Sequence, residues 1–175
     1  RRSLARMADG EIHAHVGAGF ARYATDAIWL VPHFEKMLYD NAQLARAYIH
    51  AAAVADEPRY LEVATATLDY VLREMTTPDG LWAASQDADT DGEEGLTYVW
   101  TPAEIEAAVG PEDAPLVCDA YGVTEGGNFE GRNILSRVRP DEELARIHGL
   151  EPAQVTERLA VARGRLLAAR VRRPQ

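Results

Sequence analysis

Apolar positions return along most of this chain at the helical period. Phe34, Met37, Leu38, Asn41, Leu44, Ala45, Tyr48 and Ala52 fall on one broad face. Pro32 suits the first turn of such a helix, where its missing N–H costs nothing, so the pattern predicts a helix over residues 32–55. Asp56-Glu57-Pro58 then breaks and restarts the chain. A second stripe of Leu61, Ala64, Leu68, Val71, Leu72 and Met75 predicts a helix folded back antiparallel on the first.

The rest of the chain reads in the same way. Residues 1–8 look like the end of a helix, and the Gly10, Gly17 and Gly19 region is too glycine-rich to extend it. Thr77-Pro78-Asp79-Gly80 carries the residues of a tight turn. Residues 81–85 and 96–100 are short β-type runs on either side of an acidic loop and are expected to pair as one small hairpin. Thr101-Pro102-Ala103-Glu104 combines a capping hydroxyl, a first-turn proline and a glutamate able to reach back, which starts a helix that Gly110-Pro111 ends. Helices are expected over 114–121, 141–148 and 153–172, with a glycine-rich connection over 122–132 and an extended run over 133–138. Paired helices with polar connections predict a mainly α fold, a toroid or solenoid of antiparallel helix hairpins with one small β-hairpin, in one domain spanning residues 1–175.

Charge and composition narrow the partners. A net charge of -10 argues against general affinity for nucleic acid, which rests on Lys and Arg neutralising phosphates. The longest apolar runs, such as residues 51–55, fall far short of the roughly 20 residues a membrane span needs. The start of the chain holds no signal core and reads as a helix already under way, so the chain is expected to be a fragment. Cys118 is the only cysteine, which excludes an internal disulfide or a Cys-x-x-Cys pair and makes a reducing, cytoplasmic setting the default. The arginines of the last helix could suit a membrane surface or an acidic partner, but a solvated face fits them better.

The densest constellation is Trp29-Leu30-Val31-Pro32-His33-Phe34-Glu35-Lys36-Met37-Leu38-Tyr39-Asp40-Asn41. On the predicted helix His33, Lys36 and Asp40 share one narrow sector, with Glu35 nearly opposite His33. His33 or Glu35 could serve as acid or base at a pocket rim, with Lys36 and Asp40 binding or tuning. Alternatively Lys36 and Asp40 form an ordinary ion pair, and His33 and Glu35 satisfy backbone groups at the helix start. Asn41 sits mid-stripe and needs hydrogen-bond partners there.

Three other stretches carry candidate chemistry. Asp87-Ala88-Asp89-Thr90-Asp91-Gly92 matches the first half of a calcium loop, with Asp87, Asp89 and Asp91 as ligands, but Tyr98 stands where an EF-hand needs a bidentate glutamate. Calcium in another arrangement, a solvated acidic loop, or paired carboxylates dividing acid and base roles on a sugar all remain open. His13-x-His15 with His33 could offer three nitrogen ligands to zinc. Asn128-Phe129-Glu130-Gly131-Arg132-Asn133 reads either as a ligand-facing loop or as a polar turn. Trp29 and the other aromatic residues beside these loops could stack on sugars or simply fill a core.

Four stretches together resemble the thioredoxin-domain-containing proteins of the spermatogenesis-associated type: Gly17-Ala18-Gly19-Phe20-Ala21-Arg22-Tyr23, residues 29–41, residues 87–100, and residues 121–131. The resemblance implies an amino-terminal thioredoxin-like domain followed by an (α/α) barrel similar to six-hairpin glycosidases and N-acylglucosamine 2-epimerases. This chain would then be an incomplete (α/α)6 toroid, the first part of that barrel, without the upstream domain or the later helix pairs. It implies a carbohydrate-related segment engaged in glycoside hydrolysis or sugar epimerisation, with His33, Glu35, Asp87 and Asp89 catalytic and Lys36, Asp40, Trp29, Asn128, Glu130 and Arg132 binding a small sugar. Self-association, or the remainder of its own barrel, would complete the toroid. Ala18 and Glu11 stand where the family has glycine, Ala21 where histidine is common, Ala14 where aspartate is, and Gln86 where glutamate is. Those departures favour the competing reading, a non-catalytic scaffold or regulatory module, with calcium binding by the acidic loop as a third.

Overall fold

The computed structural model describes residues 2–174. The chain divides into two compact units, Arg1–Gly95 and Leu96–Gln175. The described residues are mainly helical, with two small antiparallel strand pairs. Among them no helix is long and apolar enough to cross a membrane.

The first unit contains α1 (Arg2–Asp9), β1 (Lys36–Met37), α2 (Leu38–Ala55), α3 (Pro58–Glu74), β2 (Ser85–Gln86), β3 (Asp89–Thr90) and β4 (Glu93–Glu94). The antiparallel hairpin of α2 and α3 forms as the apolar pattern predicts, with Asp56 turning the chain in the left-handed conformation. Its seam differs from the expected one. Tyr60, Val63, Ala64, Thr67, Tyr70 and Val71 are buried on α3, while Leu61, Leu68 and Leu72 face solvent. Tyr60, Val63 and Ala64 pack in one cluster with Tyr48 of α2, and Tyr70, Val71 and Met75 form a second one with Leu38 packed against it. Tyr48 also anchors α1, donating its hydroxyl to the Leu4 carbonyl at 2.7 Å.

Two expectations are overturned here. The long helix starts at Leu38, not at Pro32. Residues 22–25 instead run antiparallel to 31–35, with Thr25 N–H on the Val31 carbonyl (2.8 Å), His33 N–H on the Tyr23 carbonyl (3.0 Å) and Arg22 N–H on the Glu35 carbonyl (3.1 Å). Asp26 closes this loop by accepting the N–H groups of Ile28, Leu30 and Val31. Desolvation works against its carboxylate, but those N–H groups outweigh it and hold Asp26 below the usual carboxylate value. The second correction concerns the hairpin. Residues 81–85 do not pair with 96–100; β2 pairs with β1, Lys36 opposite Gln86 and Met37 opposite Ser85, and the hairpin is β3 with β4. Asp91 and Gly92, both at positive φ, form its two-residue turn, so the Asp-Gly dipeptide serves a hairpin of the kind such pairs favour.

The second unit holds α4 (Pro102–Val109), α5 (Ala114–Tyr121), α6 (Asp141–His148) and α7 (Pro152–Arg170). Thr101 and Glu104 make the predicted capping box at the start of α4. Val155, Leu159, Ala162, Leu166 and Arg170 form one buried stripe along α7. The connection after α5 is fixed by asparagines. The fully buried Asn133 side chain accepts from Thr124 N–H (3.0 Å) and donates to the carbonyls of Thr124 (2.9 Å) and Trp100 (3.2 Å).

Candidate functional site

The glycine loop of residues 17–20 is held against α2 by one amide. Asn41, fully buried, accepts Phe20 N–H at 2.7 Å and donates to the carbonyls of Phe20 (3.0 Å) and Met37 (2.9 Å). It pairs with Phe20 as the backbone of a neighbouring strand would. Gly19 lies so close to α3 that a Cβ there would meet the Tyr70 ring at 2.5 Å. A side chain at that position is excluded.

Beneath this loop lies a buried polar layer. Lys36 is 2 % exposed; its ammonium donates to the Ala18 carbonyl at 2.9 Å and sits 4.5 Å from the centre of the Tyr70 ring. Tyr70 in turn donates to Gln86 Oε1 at 2.7 Å. His13 and Glu11 are buried nearby in sequence, His13 against Phe20 with ring centres 4.6 Å apart and Glu11 beside His15 at 3.1 Å. Burial above all, aided by the positive charges of His15, Lys36 and Arg59, pushes the His13 imidazole down to about 3. Its Nε2 finds no hydrogen-bond partner among the described residues.

The outward side of the same segment carries an exposed ionic row. His33 Nδ1 lies 3.2 Å from Glu94 Oε1, and its ring stacks on Tyr23 at 4.7 Å. Arg22 approaches Asp40 at 3.3 Å and Glu35 at 3.9 Å, with its guanidinium 5.5 Å from the centre of the Tyr39 ring. Tyr23 and Tyr39 are about half exposed, at 50 % and 46 %. His33, Glu35 and Asp40 therefore share one face, but through strand-like pairing and Arg22 rather than through a helical sector. Lys36 points the other way and does not pair with Asp40. Arg22, Tyr23 and Glu94 complete the row; local spacing could not reveal them, because Arg22 and Tyr23 arrive through a return of the chain between residues 25 and 31 and Glu94 comes from β4, far along the chain.

The other candidates lie elsewhere. Trp29 is partly buried, with its backbone at positive φ, and packs on the core of α1, α2 and α3. Asp87, Asp89 and Asp91 are exposed; Asp87 Oδ1 accepts Asp89 N–H at 3.1 Å, and Asp91 occupies the hairpin turn. Among the described residues no three His, Cys, Asp or Glu side chains are placed to hold a metal ion. That applies to the acidic loop and to His13, His15 and His33 alike. Asn128, Glu130 and Arg132 belong to the second unit. Asn128 exchanges hydrogen bonds with the backbone of Ile134 at 2.8 and 2.9 Å, Glu130 forms a left-handed turn with Gly131, and Arg132 pairs with Glu104 at 3.2 Å.

No protein-family profile matches the chain. Over 99 % of its length it is 39 % identical to human spermatogenesis-associated protein 20, 38 % identical to the mouse protein of that name and 36 % identical to the rat one. The chain spans 25 % of the length of each of these relatives. It is thus similar, along nearly its whole extent, to about a quarter of spermatogenesis-associated protein 20.

Proposed function

We propose that this chain is the early part of a helical barrel in a longer protein like spermatogenesis-associated protein 20, and that its His33–Glu94 pair moves a proton on a sugar, as an epimerase does. The observation that carries this reading is the contact of His33 Nδ1 with Glu94 at 3.2 Å. A carboxylate on one imidazole nitrogen fixes the ring and leaves Nε2 to take or give a proton. Tyr23 supports the ring from one face. Tyr23 and Tyr39 offer half-exposed aromatic surfaces of the kind sugars stack upon, and Arg22 with Glu35 and Asp40 offers donors and acceptors for hydroxyl groups.

Glycoside hydrolysis fits the same face less well. It requires two carboxyl groups flanking the scissile bond, one as acid and the other as base or nucleophile. Glu35 and Asp40 both approach Arg22, while Asp87 is bonded to the backbone of Asp89. Among the described residues His33 Nε2 has no hydrogen-bond or ion-pair partner, while Nδ1 is held by Glu94.

The test is exchange of a sugar C–H for deuterium, followed by NMR in D2O, with the full-length protein and a panel of aldoses and N-acylhexosamines. His33→Asn and Glu94→Gln are expected to slow exchange by about 100-fold or more, the usual contribution of a positioned acid or base. Exchange that persists unchanged in both variants rejects the assignment. No exchange on any sugar returns the chain to a scaffold role.

A further inference from the structure

The second unit contains a groove of about 440 Å³ between α4 and α7, a size that suits a small molecule. Its floor is alanine from both helices, Trp100 lines it, and Arg165, Arg172 and Arg173 stand around it together with Glu104. The single carboxylate is already engaged, by Arg132 at 3.2 Å and by Arg173 at 3.5 Å, besides capping α4. Arg173 lies 3.8 Å from the centre of the Trp100 ring and donates to the carbonyls of Val99 (2.7 Å), Thr97 (3.0 Å) and Leu96 (3.4 Å). Burial first, and then the Arg132 and Arg170 cations, push Arg173 below the usual arginine range against the pull of Glu104.

Two guanidiniums remain for a ligand. Arg165 is half exposed and uses one nitrogen on the Val109 carbonyl (2.8 Å) and Asp113 (3.2 Å). Arg172 is exposed, and its side chain makes no hydrogen bond or ion pair among the described residues. Planar guanidinium forks match carboxylate and phosphate oxygens, and an apolar alanine surface accepts a ring or short hydrocarbon. The overall charge of -10 makes such a cationic recess a local exception on the chain.

We propose that this groove binds a small organic anion, its phosphate or carboxylate on Arg165 and Arg172 and its apolar body on the alanines of α4 and α7. The site needs nothing from the His33 face and stands independently of the reaction proposed there.

Phenyl phosphate and benzoate, titrated into the chain and followed by calorimetry and by NMR shifts, are the probes. At least one should bind saturably, benzyl alcohol should not, and Arg165→Gln with Arg172→Gln should weaken binding at least about tenfold. Ala168→Leu, which fills the floor at an exposed position without changing charge, should weaken it too, while the pair Arg46→Gln with Arg146→Gln, remote in that neither residue lines the groove, should leave it unchanged. Circular dichroism checks that each variant is folded. Absence of saturable binding by both probes overturns the proposal, as does an equal loss in the groove and remote pairs, which would mark a response to net charge alone.

Discussion

Replacing Asn41 by alanine tests how the glycine loop is held. The substitution removes three hydrogen bonds and leaves the N–H and C=O of the fully buried Phe20 without their amide partner. Each buried backbone group left unpaired costs about 1–3 kcal/mol, so the pair should cost roughly 3 kcal/mol. For a chain of 175 residues that corresponds to a fall in the melting temperature of roughly 6–12 °C. Urea unfolding followed by circular dichroism gives the free energy, and hydrogen exchange at the Phe20 amide gives the local effect. Gln43→Ala serves as a control, since Gln43 lies on the same helix and its side chain donates to the Tyr39 carbonyl at an exposed position. It should cost under about 0.5 kcal/mol. If Asn41→Ala also costs no more than that, with Phe20 still protected, the idea that one amide substitutes for a strand is wrong.

The unfolded chain protonates His13 below its ordinary value of 6.5, whereas the folded chain resists until about 3. Stability should therefore fall with falling pH through that window, by up to about 1.4 kcal/mol per unit, and be insensitive to His13 above it. His13→Leu should flatten this part of the acid limb in urea titrations at successive pH values; an unchanged slope would show that His13 is charged or solvated in the folded state. Thr101→Ala removes the hydroxyl that accepts Glu104 N–H and should cost about 1 kcal/mol in chemical denaturation. A loss within experimental error would mean that Pro102 and Glu104 start α4 unaided.

The elements written in local sequence were legible. The capping box at Thr101, the residues of α5 and α6, and the α2–α3 hairpin all announce themselves within a few residues of where they act. What local pattern could not supply was pairing at a distance. Residues 32–37 carry a helical apolar pattern and a helix-starting proline, yet Asp26 gathers the N–H groups ahead of them and Ser85-Gln86 pairs with Lys36-Met37. Those partners lie up to 50 positions away along the chain. The same pairing turned Lys36 inward and gave His33 the neighbours Tyr23 and Glu94. On α3 hydrophobicity alone misleads, because Tyr60, Thr67 and Tyr70 are buried while Leu61, Leu68 and Leu72 face solvent. Asn41, a polar residue in the middle of an apolar stripe, signals a need for partners in the sequence itself, and its amide makes three hydrogen bonds.

Gly95 adjoins Glu94, and a Cβ there would meet the Phe34 ring at 2.5 Å; Phe34 itself adjoins His33 and is 3 % exposed. An apolar latch thus sits directly beside the ionic pair. Added electrolyte will screen the attraction between imidazole and carboxylate, but it does not loosen the burial of an aromatic ring. The two polar groups should stay neighbours in brine as in dilute buffer, their proximity set by the oily contact next door and only their mutual pull by the medium.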